Sequence, residues 1–72
     1  MRDVEIREEP TELFKILKFE GLVENGGQAK TVIDEGLVQV NGETETRKRR
    51  KMMAGDVISF AGEELRLRLP TS

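Results

Sequence analysis

The sequence predicts a single small α+β domain in which two short helices pack on a small, mostly antiparallel sheet. Three observations predict it. Apolar residues recur at helical spacing in only two short windows, Leu13-Phe14-Ile16-Leu17 and Ala29-Val32-Ile33. Apolar and polar residues alternate with period two near both ends, at Val4 and Ile6 and at Leu65, Leu67 and Leu69. Between these, Asn41-Gly42 is the dipeptide most typical of a tight type I′ hairpin. At 72 residues, the chain is close to the smallest size at which one core holds a fold without disulfides or metal. An enclosed cavity is therefore not expected, and function should sit on the outer face.

The elements follow in order. Val4 and Ile6, flanked by Asp3, Glu5 and Arg7, read as a first strand ended by Pro10. Thr11 is placed to cap the first helix, whose apolar stripe leaves Lys15 and Lys18 on the other side; Gly21 stops it. Asn25-Gly26-Gly27-Gln28 reads as the next helix start, with Asn25 as N-cap and Gln28 completing a capping box. Gly36 fits the left-handed C′ position after that helix. Leu37 to Val40, the Asn-Gly turn and the polar stretch Glu43-Thr44-Glu45-Thr46 form a hairpin. Beyond it come the basic run Arg47 to Lys51, Met52-Met53-Ala54, a Gly55-Asp56 turn, a strand from Val57 to Phe60, a Gly62 turn and the last strand. Met52 and Met53 read as partial core beneath the loop, and Phe14, Phe19 and Phe60 as core.

Charge is unevenly placed. The formal net charge is −2, yet Arg47-Lys48-Arg49-Arg50-Lys51 gathers five of the twelve Lys and Arg residues in one stretch. A net-acidic domain binds a polyanion only through a local patch. The chain has no His and no Cys, which removes thiolate chemistry, the usual zinc sites and the ordinary proton shuttle. Of its two serines, Ser59 lies in an apolar run and Ser72 at the terminus, neither with a base candidate nearby. The expectation is a protein that is not an enzyme, with no cofactor, no metal and no small-molecule substrate. No signal-like or membrane-spanning apolar run is present, so a cytoplasmic, monomeric protein is expected.

One ordered set of residues carries a resemblance. Glu20-Gly21-Leu22-Val23, Asn25 to Lys30, Ile33, Gly36, Val38-Gln39-Val40-Asn41-Gly42 and Gly55-Asp56-Val57 together resemble the RNA-binding domain named after ribosomal protein S-four, the S4 domain. The likeness covers about residues 11–60 and is nearest to the small stand-alone bacterial members, in which the domain is nearly the whole protein. It implies an alpha-L motif, two helices and a small sheet presenting a charged groove to structured RNA, with the second helix and the loop after the hairpin side by side. It also implies a role near the ribosome, in translation or in RNA maturation, on ribosomal RNA or tRNA. Two departures matter. The Arg-Leu-Asp opening of many first helices reads Glu12-Leu13-Phe14 here, and the usual Ser-Arg of the second helix reads Asn25-Gly26.

The expected RNA-binding residues are Lys30, Arg47, Lys48, Arg49, Arg50 and Lys51. Lys15 and Lys18 are candidates for the rim of the same patch, and Asn25, Gly26, Gly27 and Gln28 for phosphate contact at a helix start. Each has a plainer reading. The run can be a solvated loop paired with Glu43, Glu45 and Asp56; Lys30 can pair with Asp34; Asn25-Gly26-Gly27 can be only a turn and a cap. No aromatic is interleaved with the run, which favours reading of RNA backbone and shape, with low sequence specificity, over base stacking. The alternative function is a protein interaction module that docks an acidic partner through the basic loop, or a partner strand through an open edge at the last strand.

Overall fold

The short helices owe their bounds to glycine. In the computed structural model, which describes residues 1–70, α1 spans Leu13–Phe19 and α2 spans Gly26–Asp34. Each ends on a glycine in left-handed backbone, Gly21 at φ +73° and Gly36 at φ +77°. Both ends close the same way. Gly36 N–H donates to Ile33 O and Leu37 N–H to Val32 O, as Gly21 N–H does to Lys18 O and Leu22 N–H to Leu17 O. The start of α2 is capped as expected: Asn25 Oδ1 accepts from Gln28 N–H at 2.8 Å. The reciprocal bond reaches one residue further back than a standard capping box, from Glu24 N–H to Gln28 Oε1 at 2.7 Å.

Seven strands complete the chain: β1 (Arg2–Glu5), β2 (Thr11–Glu12), β3 (Gln39–Val40), β4 (Glu43–Thr44), β5 (Lys51–Met52), β6 (Val57–Phe60) and β7 (Glu63–Arg68). Five form one sheet in the order β1-β7-β6-β3-β4. Its pairs are antiparallel except β1 with β7, which run parallel with Val4 beside Leu67. The first strand thus closes on the last, and β7 lies inside the sheet. The open edge expected at the last strand belongs to β1 instead. Period-two alternation turns Val4, Ile6, Leu65 and Leu67 to one face, where they bury with Leu13, Ile16 and Leu17 of α1 and Ala29 and Ile33 of α2.

Four sequence expectations change. Thr11 does not cap α1; it lies in β2, its hydroxyl donates to Glu8 O, and Glu12 takes the N-cap position without a side-chain bond. Met52 is fully buried but Met53 is 48 % exposed, because neighbours in extended backbone face opposite sides. Phe14 buries and Phe60 half-buries, whereas Phe19 is 67 % exposed. The second hairpin strand is shorter than expected, ending at Thr44, and Glu45 just beyond it is buried. Ser72 lies outside the described residues.

Two turns lock the segment that carries the basic run. Asn41 and Gly42 both take positive φ, as a type I′ turn requires. The Asn41 side chain then bridges to the Gly55-Asp56 turn, donating to Asp56 Oδ1 and accepting from Val57 N–H at 2.9 Å. Asp56 in turn accepts from Met53 N–H at 2.9 Å, just past the run. At the other end Glu45 accepts three bonds from Arg47, its backbone N–H and its Nε at 2.9 Å and Nη2 at 3.0 Å, and one from Arg50 at 2.8 Å. The Arg47 bonds hold the Glu45 carboxyl down at about 2, against the opposing effect of burial and with further help from Arg50.

Two stability predictions follow from these contacts. Asn25→Ala removes the α2 cap and should lower stability by about 1 kcal/mol, or about 4–8 °C in Tm for a domain of this size, read by circular dichroism because the chain has no Trp or Tyr. A carboxyl whose folded pKa is depressed stabilises the fold above its unfolded pKa, and that stability is lost as pH falls through the folded pKa. Glu45→Gln should therefore destabilise at pH 7 by at most about 3 kcal/mol, and nearer 1–2 because solvent screens Arg47. The gap between wild type and variant should close between about pH 4.5 and pH 2 in urea titrations. A gap that stays constant down to pH 2 would refute this role for Glu45.

Candidate nucleic-acid interface

The basic run is a built turn rather than a free loop. Arg50 N–H closes on Arg47 O at 3.1 Å, and the run leads directly into β5, whose Lys51 and Met52 pair with Glu12 and Thr11 of β2. Two carbonyls of the run meet the first turn of α1: Arg50 O accepts from Leu13 N–H at 2.9 Å, and Lys48 O from Phe14 N–H at 3.1 Å. A helix start has no carbonyls of its own for these donors, so the run's backbone serves as the cap that Thr11 does not provide. Helix formation and loop shape are thereby the same event.

Phe14 is where separate elements meet. The Lys30 ammonium of α2 lies 4.8 Å from the ring centroid, and the Arg49 guanidinium of the run lies 5.6 Å from it. The bare Cα of Gly26 is set over the same ring, where a Cβ would sit 3.9 Å from it. One nearly buried phenyl therefore joins the start of α2, its Lys30 and the tip of the run on one surface. Lys30 makes no ion pair with Asp34 among the described residues; its charge faces the ring instead.

The cations divide into held and free. Arg47 and Arg50 are held by Glu45, and Arg49 by Glu12 at 3.2 Å, which also takes Lys15 at 3.3 Å. Glu43 and Asp56, the other anions considered as partners for the run, form none of the ion pairs among the described residues; Asp56 serves the Asn41 and Met53 bonds instead. Partial burial pushes the Glu12 carboxyl up, but the Lys15 and Arg49 bonds outweigh it and leave it below the usual carboxylate range. The bond to Glu45, reinforced by its charge, raises Arg47 further still. Lys48 and Lys51 are exposed and take part in no ion pair among the described residues. Arg47, Arg49, Arg50 and Lys51 line a shallow groove of about 620 Å³.

Seven cations, Lys15, Lys30 and the run, thus share this face with two carboxylates, Glu12 and Glu45, for a local charge of +5 in a chain of −2. Lys18 stands apart, its ammonium 5.2 Å from the Phe19 ring. At the α2 start, Asn25 and Gln28 use their side chains for capping, while the Gly26 and Gly27 N–H groups have no internal acceptor among the described residues. Three residues take roles the sequence did not suggest: Phe14, expected as plain core; Glu12; and Glu45, expected to pair with the run only as part of a solvated loop but found buried beneath it. The legible signal for Glu45 was its place two residues before Arg47 and five before Arg50.

Comparison with known proteins agrees with the fold. The sequence pattern described as "S4 domain" matches residues 4–68. The chain is 52 % identical over 56 residues to "Putative RNA-binding protein YbcJ" of Escherichia coli (strain K12), covering 78 % of this chain and 80 % of that one. It is 36 % identical over 59 residues to "Probable ribosome maturation protein RlbA" of Bacillus subtilis (strain 168), covering 82 % of this chain and 83 % of the other. The solution structure of YbcJ from E. coli, described as revealing an αL motif involved in RNA binding, superposes with a TM-score of 0.70 at 46 % identity, over 93 % of this chain and 86 % of that one. Among the described residues no helix is long and apolar enough to cross a membrane. With the fold, the helix pair and nearly the whole length matched, the chain belongs to the S4 domain family and shares the alpha-L architecture of YbcJ.

Proposed function

We propose that this chain is an RNA-binding module, not an enzyme, that grips the phosphate backbone of structured RNA, and that it works in ribosome maturation. The observation that carries the reading is the convergence of Lys30 and Arg49 on the Phe14 ring, which sets cations from two distant parts of the chain on one rigid surface. The names of YbcJ and RlbA support RNA and the ribosome as the setting.

The proposed contacts run from Lys30 through Arg47, Lys48, Arg49, Arg50 and Lys51, with Lys15 at the rim. The division into held and free cations suggests how they work. Arg49 and Arg50 are oriented by carboxylates and present fixed donors, while Lys48 and Lys51 swing to meet phosphates as mobile point charges. The Gly26 and Gly27 N–H groups, at the positive end of α2 beside Lys30, add a place for one phosphate. Asn25 and Gln28 act there by holding the helix start, not by touching RNA. Lys18, next to Phe19, is left out of the patch.

The test is binding to a ribosomal RNA hairpin and to tRNA at two salt concentrations. If about five phosphates are neutralised, affinity should fall on the order of a hundredfold between about 50 and 200 mM salt. Lys30→Ala and Lys48→Ala should each weaken binding several-fold and lower the log–log salt slope by about 1. Phe14→Leu keeps apolar bulk but removes the ring that carries Lys30 and Arg49, and should weaken binding several-fold while the fold persists. Unchanged affinity and salt slope in the charge variants would end the proposal.

A further inference from the structure

Outside the cationic face, the chain carries a charge of −7, and part of it borders an open sheet edge. Strand β1 pairs only with β7. Ile6 N–H donates to Arg68 O at 2.9 Å, so alternation directs the backbone groups of Val4 and Ile6 towards β7 and those of Asp3 and Glu5 outward. Nothing among the described residues covers that edge.

Beside the edge lies a groove of about 540 Å³ between β1 and α1. Its apolar lining includes Ile6, Ile16 and Phe19, and Phe19 is the 67 %-exposed side chain that departs from the core reading. Its rim carries Glu5, Glu8 and Glu20 beside Arg7, and Glu20 also lies 4.0 Å from the Arg2 guanidinium of β1. An unpaired strand edge next to a pocket is the geometry by which domains take up an extended peptide as an added strand: main-chain bonds supply affinity and alternate side chains supply specificity.

The charge pattern selects the occupant. A second copy of this strand fits poorly, because a two-fold antiparallel register centred on Arg2, Asp3 or Glu5 sets that residue against its own copy, and one centred on Val4 sets Asp3 against Glu5. Every such register puts like charges directly across. A strand with cations opposite Glu5 and Asp3, the latter already 3.8 Å from Arg68 on its other side, pairs favourably instead, and its intervening side chains then point to the face of Val4 and Ile6, over the groove. We infer that the β1 edge and the β1–α1 groove form a docking site for an extended protein segment alternating basic and apolar residues, separate from the RNA-binding face.

The probe is a synthetic peptide of sequence Lys-Val-Lys-Phe-Lys-Val, with Lys-Lys-Lys-Val-Val-Phe as a control of equal composition, each titrated into the protein and followed by amide NMR. The alternating peptide should shift the Asp3 and Glu5 amides and slow their hydrogen exchange; the control should bind at least several-fold more weakly. Glu5→Pro removes one outward N–H without touching the β7 ladder and should cost about fivefold to tenfold in affinity. Asp3→Lys/Glu5→Lys, which leaves the backbone groups in place, should abolish binding and serves if the proline variant does not fold. Neither change should weaken binding to the RNA hairpin, and the added lysines can only strengthen it, which keeps this site's failure distinct from that of the RNA reading. Equal binding of both peptides, unmoved Asp3 and Glu5 amides, or concentration-dependent dimers that protect β1 would each overturn the inference.

Discussion

Five adjacent cations sit closer together than the Debye length of about 8 Å at physiological salt, so mobile ions screen their mutual repulsion poorly. Left alone, such a run spreads into solvent and has no fixed shape. Glu45 prevents this. Buried and ionised, it accepts bonds from both Arg47 and Arg50, and no side-chain polar atom is left unsatisfied in the interior of the described residues. The remaining order depends on that contact, since the turn it closes presents Lys48 O and Arg50 O to the start of α1. Removing either arginine leaves the buried carboxylate with one cation in place of two, and removing both would strand it at a cost greater than the pairs contribute when intact.

Such anchoring changes what a basic loop can do. A mobile cationic tail gives up conformational freedom when it meets RNA, and that loss reduces affinity. Here most of the ordering accompanies folding. The same carboxylates lower the local charge, so attraction at long range is traded for a fixed arrangement of donors at short range. This also offers a physical account of the family's usual second-helix arginine being absent. Gly26 stands near its place beside the Phe14 ring, and Lys30 one turn later faces the patch that Arg49 completes.

Much of this fold was legible because it is enforced locally. Gly21, Gly36 and Asn41-Gly42 require left-handed backbone wherever they stand, and both helix ends and the hairpin fell where those residues put them. Strand β6 matched because its apolar run is bounded by two turns. Two misreadings were avoidable: Met52 and Met53 cannot share a face in extended chain, and Phe19 lies about 60° outside the α1 stripe at about 100° per residue. Other features were out of reach. The parallel closure of β1 on β7 joins residues some sixty positions apart, and the two-residue bridge of β2 with β5 exists only because the loop folds back on α1. At the site, the cations were legible from composition. Glu45 was legible as a partner of the run but not as its buried anchor, because a Glu in a polar strand reads as exposed until two arginines are known to reach it.

The distribution of charge bears on how two surfaces coexist in so small a domain. The face proposed for RNA is built on the first turn of α1 and the groove proposed for a peptide on its last, about 9 Å apart at 1.5 Å per residue. That spacing is about one Debye length, so at physiological salt the coupling between the +5 face and the acidic rim is weakened to about a third. At lower salt it grows. The acidic rim then repels phosphates that approach from its side, which steers RNA towards the run and away from the open edge. An acidic chain can therefore orient a polyanion better than a uniformly basic one of the same size, because repulsion excludes wrong orientations while attraction selects the right one.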